Sequence, residues 1–405
     1  MPHPARTLVV LAVVAAAGCR SGGVDKHPPP HWANARTELS PSAEPHPVLE
    51  ADAANALQLA AARQAVKPGG KPVNALCLSG GGQYGAYAVG LLAGWTARGD
   101  RPEFDVVTGI SSGALIAPLA FLGPKYDALL QREWNSIRTK DLFTYRPIPV
   151  HIVRDKSLAS SDPLRERLPE IFTHEVIDEI RAAHRCGRRL FVGTMILHSR
   201  RLVVWDLGAV ACSGPDTDQL VRDILLATSS IPGLVPPVDV PVSVNGRPLL
   251  EQHGDGGAVA QTFLRLGATH PRPDPADPAA KWLCGSNLYV IAGGKLYIDP
   301  IAGDLGFLSR ATGAVSATLY ALYRADLWRL YSFCQASGMR FHHTAIPPDL
   351  DTPGRSTEFD PEVLQVMYAA GYADGVNGTR WRTTPPGTEP GEADAPRTGL
   401  SYTAP

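Results

Sequence analysis

Twice between Asn74 and Leu122, an apolar run of strand length ends in glycines and gives way to a run with helical spacing. The first unit is Asn74-Ala75-Leu76-Cys77-Leu78, then Gly80-Gly81-Gly82-Gln83-Tyr84-Gly85, then Ala86 to Trp95. The second is Phe104-Asp105-Val106-Val107, then Gly109-Ile110-Ser111-Ser112-Gly113, then Ala114 to Leu122. Strand, tight glycine turn, helix and strand again is the pattern of a parallel sheet covered by helices on both faces. The rest of the chain is compatible with that frame. Leu190 to Ile196 and Arg201 to Trp205 flank a polar turn and read as a hairpin, and Leu288 to Ala292 suits an inner strand. Ala314 to Phe333 reads as a long helix with Leu319, Leu322, Tyr323 and Leu327 along one side; Pro361 to Ala370 reads as a last helix closed by Gly371. No internal repeat and no strong boundary interrupts this region, so one α/β domain is expected over residues 70–380. In such sheets, sites form beyond the carboxyl ends of the strands, where both glycine loops fall.

The loops point to acyl transfer, which needs a nucleophile, a base and donors for the developing oxyanion. A G-x-S-x-G turn between strand and helix holds its serine out at the top of a sheet, which makes Ser111 the nucleophile candidate and gives Gly109 and Gly113 a steric role. Gly80, Gly81 and Gly82 can bring backbone N–H groups close to one oxygen, because no side chain stands in the way. The base is open on the residues alone. Asp255, followed by Gly256 and Gly257, can abut the serine directly from a turn. His253, His342 and His343 are the histidines that could complete a Ser-His-Asp triad.

Taken in order, the three motifs resemble the patatin-like phospholipase family. Ala227 to Gly233 followed by Pro236-Pro237-Val238 is similar to the family segment before the catalytic aspartate, and Asp162-Pro163-Leu164 is similar to an earlier one. The resemblance runs from about Lys71 to Gly378. It implies a three-layer fold with a mainly parallel sheet and a Ser–Asp dyad, with Ser111 as nucleophile and Asp255 as base. Gly80, Gly81 and Gly82 would form the oxyanion loop, with Gly85, Gly109, Gly113, Gly256 and Gly257 as supporting motif glycines. It further implies hydrolysis of carboxylic esters of lipids, with no metal and no organic cofactor. Three positions depart from the family pattern. Tyr84 stands where an arginine or lysine is usual, and Gln261 and Phe263 stand where the aspartate motif continues into asparagine and proline.

The N-terminal residues suggest export. Leu8 to Ala17 is an apolar run too short to span a bilayer as a helix, and Ala16-Ala17-Gly18-Cys19 resembles a bacterial lipoprotein signal. The expectation is a signal over residues 1–18, lipidation of Cys19, a Pro-rich tether over 19–69, and membrane anchoring in the cell envelope, at the outer rather than the inner membrane. Residues 381–405, rich in Pro, Gly, Thr and Glu, are expected to be a disordered tail. The formal charge of −1 gives no electrostatic reason to bind nucleic acid. Cys77, Cys186, Cys212, Cys284 and Cys334 lack metal-ligand spacing and are compatible with one or two disulfides. Two other readings use the same residues. Gly80-x-Gly82-x-x-Gly85 with Asp100 fits a dinucleotide fingerprint in spacing, although Asp100 precedes a strand instead of ending one. The altered loop positions also suit a member of the fold that binds lipid or a partner without turnover.

Overall fold

The computed structural model describes residues 37–39, 47–50, 72–145, 157–244, 247–264, 283–297, 307–378, 381–388 and 392. In chain order they form β1 (Thr37–Leu39), β2 (Pro47–Glu50), β3 (Asn74–Leu78), α1 (Gly85–Arg98), β4 (Val106–Ile110), α2 (Ser112–Leu122) and α3 (Asp127–Ser136). Next come β5 (Thr144–Tyr145), β6 (Ala159–Ser160), α4 (Asp162–Ile171), α5 (His174–Arg185), β7 (Arg189–Ile196), β8 (Arg201–Asp206) and α6 (Leu207–Cys212). The remainder is α7 (Asp218–Thr228), β9 (Val238–Val244), β10 (Arg247–Asp255), β11 (Asn287–Ile291), α8 (Phe307–Ser337), β12 (Arg340–Thr344) and α9 (Pro361–Asn377).

The fold is α/β, with a central sheet whose strands β12-β11-β3-β4-β7 lie parallel in that order. β3, β4, β7 and β11 are mainly apolar because both of their faces are covered, whereas the edge strand β12 carries Arg340, His342 and His343. On β3, Leu76 and Leu78 enter the core beneath α1 and α2, while Ala75 and Cys77 face the opposite core with Leu327, Leu330 and Cys334 of α8. Beyond β7 the sheet turns antiparallel through β8, β2, β1, β9 and β10.

One strand organises the molecule's centre. β8 lines one edge of β7, and two other strands share the opposite edge. β4 runs parallel along the first part, ending at Ile110↔Gly193. β10 runs antiparallel along the second part, from His253↔Ile196 to Asp255↔Thr194. The two therefore approach head-on and end at neighbouring register positions. Residue 111 follows the end of one and residue 255 ends the other.

Several elements differ from the sequence reading. β4 begins two residues after Phe104 and runs into the serine turn, so Gly109 and Ile110 belong to the strand. The long helix extends to Phe307–Ser337. The last helix continues through Gly371 to Asn377, and Gly378, at φ 85°, closes it. Gly371 is a packing residue: a Cβ there would sit 2.1 Å from the Tyr87 carbonyl oxygen on α1. Gly90, Gly94 and Gly375 make equally close approaches, so α1 and α9 touch backbone to backbone. Within the stretch expected to be tether, β1 and β2 pair with the sheet. The tail expected to be disordered from 381 is ordered over 381–388, because Trp381 packs 5.1 Å from Trp95 and 5.2 Å from Tyr289. Residues 1–18, including the proposed leader, lie outside the described residues, as does Cys19. The five described cysteines are free thiols.

Replacing Gly90 by alanine tests the helix contact. Its methyl would lie 2.0 Å from the Tyr368 carbonyl oxygen, and overpacking of that kind costs about 1–3 kcal/mol even though alanine favours helix by about 1 kcal/mol. Thermal unfolding should show Gly90→Ala destabilised. Gly313→Ala on α8, where nothing lies within 4 Å, should gain stability. Equal effects at the two sites would refute the close packing.

Candidate active site

Ser111 follows β4 directly and caps α2, where the helix dipole presents its positive end. The turn is too tight for side chains on either flank. A Cβ at Gly109 would lie 2.6 Å from the Ala114 Cα, and one at Gly113 2.5 Å from the Leu78 and Ser79 carbonyl oxygens. Ser111 itself adopts φ 52°, ψ −128°, a conformation that costs a non-glycine residue on the order of 1–3 kcal/mol and persists only where surroundings enforce it. The enforcing group is Thr228 at the end of α7. The Ser111 N–H donates to Thr228 Oγ1 (3.0 Å), and that hydroxyl donates to the Gly193 carbonyl on β7 (2.6 Å).

Asp255 faces it from the end of β10. Its Oδ2 accepts the Ser111 hydroxyl at 2.7 Å, and its Oδ1 accepts the Gly257 N–H at 2.7 Å. Burial pushes the carboxyl up from 3.8 to about 6, and the hydrogen bonds from Ser111 and Gly257 pull the other way. Among the described residues, no cation pairs with it. Loss of hydration therefore sets its basicity, which places it in the range a general base needs near neutral pH. Gly256 lets the turn lie against β7, since a Cβ there would sit 2.7 Å from the Gly193 carbonyl oxygen.

The glycine loop that follows β3 passes beside the serine. A Cβ at Gly80 would stand 3.2 Å from that of Ser111; one at Gly81 would overlap the Gly293 carbonyl oxygen, and one at Gly82 the Ser356 carbonyl oxygen. The three expected donors are not equivalent. The Gly80 N–H is taken by the Gln261 carbonyl at 3.2 Å. The N–H groups of Gly81 and Gly82 have no acceptor among the described residues, and neither does that of Ser112 at the first turn of α2. These three, rather than Gly80, are available for an oxyanion. Gly85 supports the loop by proximity, as its Cβ would lie 2.6 Å from the Trp134 ring.

An apolar pocket opens beside Ser111, Ser112 and Gly82, walled by Leu115, Leu119, Leu130, Trp134, Leu164 and Phe172. Glu133 and Arg167, paired at 2.7 Å, are the charged groups in its lining. Such a wall offers little to a polar ligand.

None of the three histidines touches the serine. His253 is buried, bonded to Thr194 Oγ1 (3.0 Å) and paired with Glu251 (3.2 Å). On the far strand β12, His342 stacks on Tyr289 and His343 bonds the Thr384 carbonyl, with burial holding the His343 imidazole down at about 4. Asp100 pairs with Arg98 beyond the end of α1 opposite the glycine loop, which removes it from any ribose position. Of the departures, Tyr84 donates its hydroxyl to the Gly354 carbonyl (3.3 Å). Phe263 is buried, and its carbonyl accepts from Thr108 (2.7 Å). Ser112 and Thr228 lie inside recognised segments that give them no role, and Gly293 lies in none; each acts through its backbone position or one hydroxyl, which leaves no local pattern to find.

Residues 76–266 match the family model described as patatin-like phospholipase. No curated protein matches. Among solved structures, the chain is similar to VipD from Legionella pneumophila, with 11% identity, 91% of this chain and 72% of that one covered, and a TM-score of 0.37. It is also similar to the type III effector protein ExoU, with 15% identity, coverage of 76% and 52%, and a TM-score of 0.33. The matched segment contains the glycine loop, Ser111 and Asp255, whereas Gly293 and Ser356, against which the loop packs, lie beyond it.

Asp255 gives a pH signature in stability. Its folded-state pKa lies above the unfolded value, so its contribution is fully present below 3.8 and is lost as pH rises through about 6. At pH 8 the buried carboxylate should burden the fold by about 1–3 kcal/mol. Denaturant unfolding of Asp255→Asn should therefore show a more stable protein than the parent at pH 8, with the difference fading between pH 6 and 4. A variant less stable at pH 8 would contradict the buried, unpaired carboxylate.

Proposed function

We propose that the chain is a serine lipid acyl hydrolase that cleaves carboxylic esters through Ser111 and Asp255. The observation that carries this reading is the 2.7 Å bond from the Ser111 hydroxyl to a buried carboxylate beside an apolar pocket. Asp255 takes the hydroxyl proton as Ser111 Oγ attacks the ester carbonyl. The Gly81, Gly82 and Ser112 N–H groups receive the oxyanion, each such donor contributing on the order of 3 kcal/mol in comparable sites. The carbon–oxygen bond to the alcohol breaks, and the leaving oxygen takes the proton from Asp255. Water, deprotonated by the same carboxylate, then attacks the acyl-serine and returns the enzyme with the free acid. Every group in this cycle belongs to the chain, so chelators should leave the rate unchanged.

The acyl half of the substrate fits the apolar pocket. Lipid esters are therefore the substrate class, with membrane lipid as the natural source. The apolar leader and the Ala16-Ala17-Gly18-Cys19 run support an exported enzyme anchored at the envelope membrane through Cys19. That location would keep the enzyme at a lipid surface.

Incubation with a fluorophosphonate at pH 8, followed by peptide mass spectrometry, tests the reading. The label should fall on Ser111, vanish in Ser111→Ala, and persist within about twofold in His253→Gln and His342→Gln. Loss of labelling in a folded histidine variant would favour a triad. A folded parent that never labels at Ser111 would favour a lipid-binding member of the fold.

A further inference from the structure

Gln261 occupies a position that none of the motifs explains. It follows the glycine turn after Asp255 and contacts both catalytic loops. Its carbonyl accepts the Gly80 N–H at 3.2 Å, and its side-chain Nε2 donates to the Gly257 carbonyl at 2.5 Å. The amide lies between the two loops. Its Oε1 is 3.5 Å from where a Cβ of Gly80 would be, and its Nε2 is 3.4 Å from that of Gly257. Gly257 in turn donates to Asp255. The residue is itself anchored from outside the site. Its backbone N–H donates at 2.9 Å to Oδ2 of Asp326 on α8, a buried carboxylate that also receives the Thr262 N–H at 3.4 Å. Arg329, one turn along α8 and exposed, pairs with the other oxygen of Asp326 at 2.8 Å.

We propose that Gln261, anchored by Asp326, is the positioning residue that fixes the spacing between the oxyanion loop and the base. The logic follows from the donors. Gly80 gives its N–H to Gln261, and the next two N–H groups are the ones left for the oxyanion, so the bond at Gly80 sets where they point. The same residue holds the Gly257 carbonyl, in the peptide unit that follows the one whose N–H binds the Asp255 carboxylate. A glutamine spans both loops through one amide and one peptide unit. Asp326 keeps that peptide from rotating, and because it sits on α8 it ties the site to the helix on the opposite face of the sheet. The consequence for rate rests on the hydrolase reading, whereas the mechanical role does not.

The test uses the full chain and the variants Gln261→Met, Asp326→Ala and Asp326→Asn. Three readouts are taken: hydrogen exchange of the peptide containing Gly80 to Tyr84, phosphonylation rate at Ser111, and kcat and KM on a soluble p-nitrophenyl acyl ester. In Asp326→Ala, which frees the Gln261 backbone, exchange at the glycine loop should accelerate; in Asp326→Ala and in Gln261→Met, which loses only the side-chain bond to Gly257, kcat should fall about tenfold with KM within about twofold. Phosphonylation should slow by the same factor as kcat. Asp326→Asn keeps an acceptor for the Gln261 N–H and should restore both exchange and kcat to within about threefold of the parent. Unchanged kcat in Gln261→Met, or unchanged exchange of the glycine loop in Asp326→Ala, would overturn the proposal, as would a rise in KM alone. So would a loss in Asp326→Ala that Asp326→Asn shares in full, since that would mark a structural carboxylate. A parent chain that takes no label overturns the hydrolase reading, and the exchange of the glycine loop still decides whether Gln261 braces it.

Discussion

The edge of β7 is shared by two strands that run toward each other, and the functional geometry follows from that arrangement. β4 ends opposite Gly193 and β10 ends opposite Thr194, so the residues that terminate them meet without any further loop to join them. Residues 111 and 255, far apart in the chain, come within hydrogen-bond reach because backbone ladders fix both approaches. The Gly193 carbonyl adds a third constraint through Thr228, which holds the Ser111 peptide in its unfavourable conformation. A carboxylate delivered this way reaches the serine hydroxyl with no intervening imidazole to span a gap. Burial then tunes it: the carboxylate loses hydration and keeps two hydrogen bonds, which leaves it basic enough to accept a serine proton near neutral pH.

The glycines of the site act by exclusion of side chains, and each exclusion is tied to a particular neighbour. Gly81 lies against Gly293, Gly82 against Ser356, Gly113 against the end of β3, and Gly256 against Gly193. Backbones packed this closely leave N–H groups aimed into the site instead of into helices or ladders. The same principle operates far from the chemistry, where α1 and α9 meet through four glycines. The helix that leaves the oxyanion loop is therefore clamped along its length, and the loop it anchors has little freedom to drift.

The strand–glycine–helix units were legible because they are local. Apolar runs and glycines report directly on β3, β4 and the turns that follow them. Ser111 could be read from its own neighbours, and Asp255 only with the help of the family resemblance. An Asp-Gly-Gly tripeptide carries no mark of the short antiparallel pairing, distant in sequence, that brings it to β7. Gly371 shows the opposite failure: a glycine at the end of a helical pattern reads as a stop, yet here it is the contact that lets two helices touch. The wall of the apolar pocket was out of reach, because Leu115, Leu130 and Leu164 come from three helices with ordinary periodicity. Gln261 looked like a defect in a motif until its three hydrogen bonds were placed.

The account's central claim is that Asp255, unassisted, is the base for Ser111. The pH dependence of Ser111 phosphonylation measures that directly, because the reagent carries no titrating group in the working range. A single rise with a midpoint near 6, replaced by a slow and nearly flat profile in Asp255→Asn, is the result expected of a buried carboxylate acting alone. A rise that survives in Asp255→Asn, or one that shifts when a histidine is replaced, would contradict it.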